Sequence, residues 1–289
     1  MEIYLKNKEN NIFRLEKDKK NFIDFCPNRG GLICNWTCNG ENILYFDQIR
    51  FLNKKLSIRG GVPILFPICG NIDPDFSLFG RKYSHLPQHG FARDLNWEFK
   101  LNQENQSLNL FLKDTKYSRQ FFPFSFELKI DVFLKLNGLI FEIEIINNSN
   151  NQMPMSFGLH PYFNISDFKN IEFIDNPIIC LDQKHNNLQL SSNYLSRLDK
   201  GIDLLMYSSG SLSFKDYGFG RKITLNNSYP FDISVIWTDP PRQMICMEPW
   251  TSPRNSLVDG CRKILISSDI STKLNASILI SQIQENLIQ

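Results

Sequence analysis

Apolar and polar residues alternate with a period of two along much of this chain. From Phe126 the apolar positions Phe126, Leu128, Ile130, Val132, Leu134 and Leu136 are separated by mostly polar neighbours, among them Glu127, Lys129, Asp131 and Lys135. Side chains two apart on an extended chain share a face, so the run predicts a strand with one buried and one wet side. Asn137-Gly138 follows, a pair suited to the positive φ angles of a two-residue hairpin turn. Phe141, Ile143 and Ile145 then alternate with Glu142 and Glu144, which completes a β-hairpin. Leu32, Cys34, Trp36 and Cys38 ahead of Asn39-Gly40 repeat the theme, as do Phe231, Ile233, Val235 and Trp237. Residues 263–267 and 276–280 add strand-like runs, and helical periodicity is confined to one short helix or turn near residues 193–200. Many short strands punctuated by Gly, Asn and Pro predict an all-β protein, a sandwich or a barrel. At this length a large antiparallel β-sandwich is favoured over a small barrel. No repeat, linker or low-complexity tract divides the chain, so a single domain over residues 1–289 is expected.

Composition supports that picture and narrows the partners. The chain has 24 Phe, and flat rings suit a pleated, half-buried surface. Lys and Arg total 32 against 30 Asp and Glu, which leaves no broad positive field to attract nucleic acid. No apolar run reaches membrane-spanning length, and no long apolar stretch follows a basic start, so neither membrane nor signal peptide is expected. Seven irregularly spaced cysteines fit reduced thiols and a cytoplasmic location.

Three segments break the strand pattern and concentrate candidate chemistry. The first holds Arg59-Gly60-Gly61-Val62-Pro63 and then Gln88-His89-Gly90-Phe91-Ala92-Arg93. The paired glycines allow close approach of backbone to a ligand or to another strand. Along a strand His89 and Arg93 would face the same way. The second is Gly158-Leu159-His160-Pro161-Tyr162-Phe163, where Pro161 biases His160 toward an extended conformation among aromatics. Histidine exchanges protons near neutral pH; a core histidine bonded to a carbonyl is the plainer alternative. The third is Cys246-Met247-Glu248-Pro249-Trp250. A carboxylate closing an apolar run is costly unless paired or functional, and burial would raise its pKa toward a useful range for a base. An edge residue facing solvent is the alternative there, and Trp250 beside it offers a flat face to a sugar ring or simply fills the core.

Other chemistries fit poorly. Cys34 and Cys38 on one strand would lie about 13 Å apart, too far for one zinc ion. His85 and His89 have helical ligand spacing, but Pro87 between them opposes a helix. No phosphate loop, dinucleotide fingerprint or Gly-x-Ser-x-Gly appears. Neither metal nor cofactor is expected.

Taken in order, the segments Arg59-Gly60-Gly61-Val62-Pro63, Gln88 to Arg93, Gly158 to Phe163 and Cys246 to Trp250 resemble the aldose 1-epimerase (mutarotase) family, from about Gly30 onward. The resemblance implies the galactose mutarotase-like supersandwich with a sugar in an open cleft on one sheet. It implies Glu248 as general base and His160 as general acid, His89 hydrogen-bonding the sugar, and Arg59 and Arg93 lining the pocket. It also implies an acid between His160 and Glu248 that holds sugar hydroxyls, here Asp203, with Asp199 and Asp216 as alternatives. The substrate would be a free aldose or a sugar phosphate, as for a glucose-6-phosphate 1-epimerase, taken by a monomer or homodimer. A non-catalytic carbohydrate-binding protein on the same fold is the rival from another class, and a domain of a polysaccharide-processing enzyme is a third possibility.

Overall fold

The computed structural model describes residues 1–78, 81–82, 85–208 and 210–283. Three antiparallel sheets carry most of it, in agreement with the β-sandwich expected from the alternating pattern. A five-stranded sheet holds the N-terminal strands in chain order, from Glu2–Asn7 to Glu41–Asn42. One eight-stranded sheet contains the hairpin Phe126–Lys135 and Gly138–Asn147, with Ser271–Gln282 paired to its second strand. The other eight-stranded sheet is built around Asp203–Tyr207, Ile233–Trp237 and Met244–Trp250.

The hairpin matches its alternating pattern, but its two-residue turn is Leu136-Asn137 rather than Asn137-Gly138: Gly138 already pairs with Lys135, and neither Asn137 nor Gly138 has positive φ. Phe126, Leu128, Ile130, Val132 and Leu134 are buried, and the residues between them are half-buried. The expected runs at 263–267 and 276–280 form Ile264–Ile266 and part of Ser271–Gln282. The helical signal near 193–200 resolves into two turns, Ser192–Leu195 and a 3₁₀ turn at Leu198–Lys200.

Strand alternation divides the second large sheet into two functions. Ile245, Met247, Ile236, Leu204 and Met206 point into the main core shared with the other sheets. The intervening positions face the other way, and some of them form a smaller apolar cluster of Leu65, Leu205, Ile233, Val235 and Trp250. The paired glycines serve a close approach of backbone to backbone: a Cβ at Gly60 would lie 2.5 Å from Phe46 Cα, and one at Gly61 would lie 2.4 Å from the Ile33 carbonyl oxygen. Both positions have positive φ. They fasten the segment that leads into the site to the N-terminal sheet.

Candidate active site

Register assembles the site. Gly158 pairs with Trp250 and Tyr162 with Cys246, and continuing that register puts His160 opposite Glu248. Opposed residues of an antiparallel pair project on the same side, so His160 and Glu248 become neighbours on one face. On the far side of the same strand, Glu248 pairs with Val235, Cys246 with Trp237, and Trp237 in turn with Asp203. Glu248, Cys246, Val235, Trp237 and Asp203, up to 88 positions away in sequence (248 − 160), thereby share a face with His160.

Glu248 is 1% exposed and sits within a strand that runs on through Pro249 to Trp250, so it is not an edge residue. Pro249 lacks an N–H where the neighbouring chain is interrupted between Gly158–Leu159 and Tyr162–Asn164. The two prolines, Pro161 and Pro249, therefore flank the place where ladder pairing gives way to the His160–Glu248 contact. His160 Nε2 lies 3.3 Å from Glu248 Oε1. Trp250 Nε1–H donates to Glu248 Oε2 at 3.0 Å. The His160 ring stacks on Tyr162 with centroids 4.7 Å apart, and its amide N–H donates to the Pro63 carbonyl.

These residues floor a cavity of about 170 Å³ whose wall includes Arg59, His89, Arg93, Asp203, Trp237 and Arg254. His89 and Arg93 do not lie on a strand, contrary to the expectation from their spacing. His89 adopts a left-handed φ of 65° in a turn, and Arg93 lies in a 3₁₀ turn at Ala92–Asp94. A Cβ at Gly90 would meet the Phe66 carbonyl oxygen at 2.1 Å, so the chain here is folded too tightly for a strand. Both residues still reach the cavity. His89 Nδ1 accepts a hydrogen bond from the Gly70 N–H at 3.0 Å, which leaves Nε2–H of the neutral ring as a donor. The Arg59 guanidinium lies over the Trp237 ring at 5.1 Å.

Of the three candidate acids, Asp203 is in the cavity. Asp199 is half-exposed and pairs with Lys200, while Asp216 is fully buried elsewhere and caps Ser166, Gly218 and Phe219. Asp203 accepts from Gln183 on Oδ1 and from Arg254 on Oδ2. Arg254, Tyr162 and Trp237 were not singled out by sequence as site residues. Tyr162 and Trp237 could have been found from the period of two shared with His160 and Glu248; Arg254 follows the strand in a loop and carries no such signal.

Burial dominates the electrostatics. It pushes the Glu248 carboxyl well above its ordinary range, helped by nearby Asp203 and opposed by the Trp250 hydrogen bond. It pulls His160 well below its ordinary range, helped by Arg93 and Arg59. His89 is lowered by burial and by His160. Each group alone is thus held toward its neutral form. One further donor set arises here: atoms of His160, Cys246 and Glu248 lie within 4.8 Å of one another, a grouping that could hold a metal ion. Burial keeps the Cys246 thiol protonated well beyond its usual range, so ligation would first have to remove that proton.

Comparison with known proteins agrees with this fold. The chain is 35% identical to the Slr1438 protein of Synechocystis sp. PCC 6803, with a TM-score of 0.89 over 94% of this chain and 96% of that one. A galactose mutarotase-like protein from Lactobacillus casei shares the fold at 18% identity, with a TM-score of 0.77 over 93% of this chain and all of that one. A Cenchrus ciliaris protein named "Putative glucose-6-phosphate 1-epimerase" is 29% identical over 154 residues, 49% of this chain, and the match spans about half that relative's length, 44%. The sequence profile described as aldose 1-epimerase matches residues 13–273, and the chain belongs to the aldose 1-epimerase family.

Proposed function

We propose that this protein interconverts the α and β anomers of an aldose by opening and reclosing the sugar ring, with Glu248 as general base and His160 as general acid. The observation that carries the reading is their contact at 3.3 Å on the floor of a polar cavity, both almost fully buried. Between them the two groups hold one proton. In the ionised form, Glu248 takes the proton from the anomeric hydroxyl, the bond from C1 to the ring oxygen breaks, and His160 protonates that oxygen. The products are the open-chain aldehyde, a neutral carboxylic acid and a neutral imidazole. Rotation about C1–C2 exposes the other carbonyl face, and the reverse transfers close the ring to the other anomer. His89 Nε2–H, Arg59, Arg93 and Asp203 supply donors and acceptors for sugar hydroxyls.

The test is anomer exchange followed by polarimetry or NMR. His160→Asn and Glu248→Gln should each lower the rate by about 10²- to 10⁴-fold, the usual scale of general acid–base catalysis. Near-normal exchange by folded variants would overturn the assignment, and sugar binding without any acceleration by the unaltered protein would favour a non-catalytic binder.

A second reading, a hexose phosphate as substrate, is favoured by Arg59 and Arg93. Their acidic partners, Asp239 at 3.6 Å and Asp94 at 3.8 Å, are not part of the cavity wall, so both guanidinium groups keep donors for an anion. Equal rates on glucose and glucose 6-phosphate would defeat phosphate selectivity.

A further inference from the structure

The geometry points to Arg254 as a specificity-determining residue, which with Asp203 forms a donor–acceptor clamp for adjacent hydroxyls of the sugar. This rests on the epimerase reading of the same site. Arg254 Nη2 donates to Asp203 Oδ2 at 2.6 Å, and Gln183 occupies the other carboxylate oxygen at 2.7 Å. Asp203 is therefore not a free acceptor waiting for two hydroxyls. It retains only its second lone pairs, and the arginine beside it adds N–H groups that Asp203 alone could not offer. Among the described residues Asp203 is the hydrogen-bond partner of Arg254, and its buried Nε has none. A carboxylate beside a guanidinium presents one acceptor and one donor side by side, the pattern that two neighbouring hydroxyls complement.

The position is built rather than incidental. The Arg254 stem lies across Gly70, where a Cβ would come within 2.2 Å of Arg254 Cγ. Gly70 also exchanges two hydrogen bonds with His89: its N–H donates to Nδ1, and its carbonyl accepts from the His89 amide at 2.7 Å. One glycine thus seats both His89 and Arg254. The next residue, Asn255, donates its amide N–H to the Asn71 carbonyl and accepts from the Asp73 amide on its side chain. The loop bearing Arg254 is tied to the loop bearing Gly70 at three points.

The clamp is tested with Arg254→Met and Arg254→Lys on glucose, glucose 6-phosphate and the mono-deoxy glucoses. Arg254→Met should reduce kcat/KM by about 10- to 100-fold, the scale of losing a hydrogen bond to a charged group, mostly through KM. The loss should be equal for glucose and its 6-phosphate and should vanish for the deoxy sugar that lacks a clamped hydroxyl; Arg254→Lys should recover part of it. A loss confined to the phosphorylated sugar, or equal on every deoxy analogue, would overturn the clamp. If Arg254→Met does not fold, the charge-balanced pair Arg254→Met with Asp203→Asn, compared with Asp203→Asn alone, carries the same test. If the unaltered protein accelerates no anomer exchange, the epimerase reading falls, and the same comparison made on sugar binding by NMR still decides whether Arg254 reads hydroxyls.

Discussion

The two eight-stranded sheets bury the same kind of apolar side chains between them but carry ionisable groups on their outer faces in opposite ways. On the sheet containing the hairpin, Lys129 stands opposite Glu144, and Glu144 opposite Lys273, all within reach of water. On the other sheet, His160 stands opposite Glu248, and both are almost fully buried. Cross-strand placement is the same device in each case. What differs is that Arg59, His89, Arg93 and Arg254 wall in the second pair at the bottom of a cavity. Charge in water costs little and does little; the buried histidine and carboxylate are instead each held toward the neutral form.

The largest consequence of that contrast is in pH dependence. Adding a second proton to the His160–Glu248 pair would place an imidazolium beside a neutral acid. Burial, Arg93 and Arg59 oppose this, so the acid limb of kcat/KM should fall below the ordinary histidine value of 6.5. Removing the one shared proton leaves a buried carboxylate, which burial and Asp203 oppose, so the alkaline limb should lie above the ordinary carboxylate value of 4.5. Two limbs displaced in these directions are expected, and a single limb centred on 6.5 would break the comparison. Stability should follow the same sign. A carboxyl with a raised folded pKa costs stability as pH rises from its unfolded value toward its folded one. Glu248→Gln removes that decline, and calorimetry should show its Tm advantage growing by a few degrees from mildly acid to alkaline pH, in line with about 2–4 °C per kcal/mol for a chain near this size.

The sequence exposes the two sheets unequally for a physical reason. In the hairpin each residue obeys one requirement, apolar inward and polar outward, so Phe126 to Leu134 can be read directly. Met244, Cys246, Glu248 and Trp250 share the site face with alternating partners that are also apolar, because both sides of that strand are buried. Alternation is lost there, and His160 and Glu248 are found instead by their proline neighbours and by family resemblance. The spacing of His89 and Arg93 suggests one face of a strand, whereas both reach the cavity from turns: His89 and Gly90 have positive φ, and Gly90 packs against the distant Phe66 backbone. Arg254 was missed because its partners, Asp203 and Gly70, come together only through tertiary structure.

A smaller effect isolates how the strand bearing Glu248 holds the base. Trp250 Nε1–H is a hydrogen-bond donor to Glu248 Oε2, and the indole edge also packs against His89 with centroids 5.6 Å apart. Trp250→Phe keeps most of the ring and removes the donor. Loss of a hydrogen bond to a charged group, about 1.5 kcal/mol, should lower kcat by roughly 10-fold with KM nearly unchanged. The alkaline limb should also move up, since the bond favours the carboxylate. An unchanged kcat would mean that Glu248 is held by packing alone.

The smallest effect belongs to the solvated ladder and fixes the other end of the comparison. Lys129 Nζ lies 3.8 Å from Glu144 Oε2, and the two side chains retain 37% and 32% of their exposure. At that distance and exposure the attraction is screened, and Glu144 keeps a hydrogen bond from Ser271 at 2.9 Å. Lys129→Ala should therefore cost no more than about 1 kcal/mol in denaturant unfolding and leave anomer exchange unchanged. A loss of several-fold in exchange rate would show that this face communicates with the site, and the division between a wet structural sheet and a dry chemical one would have to be redrawn.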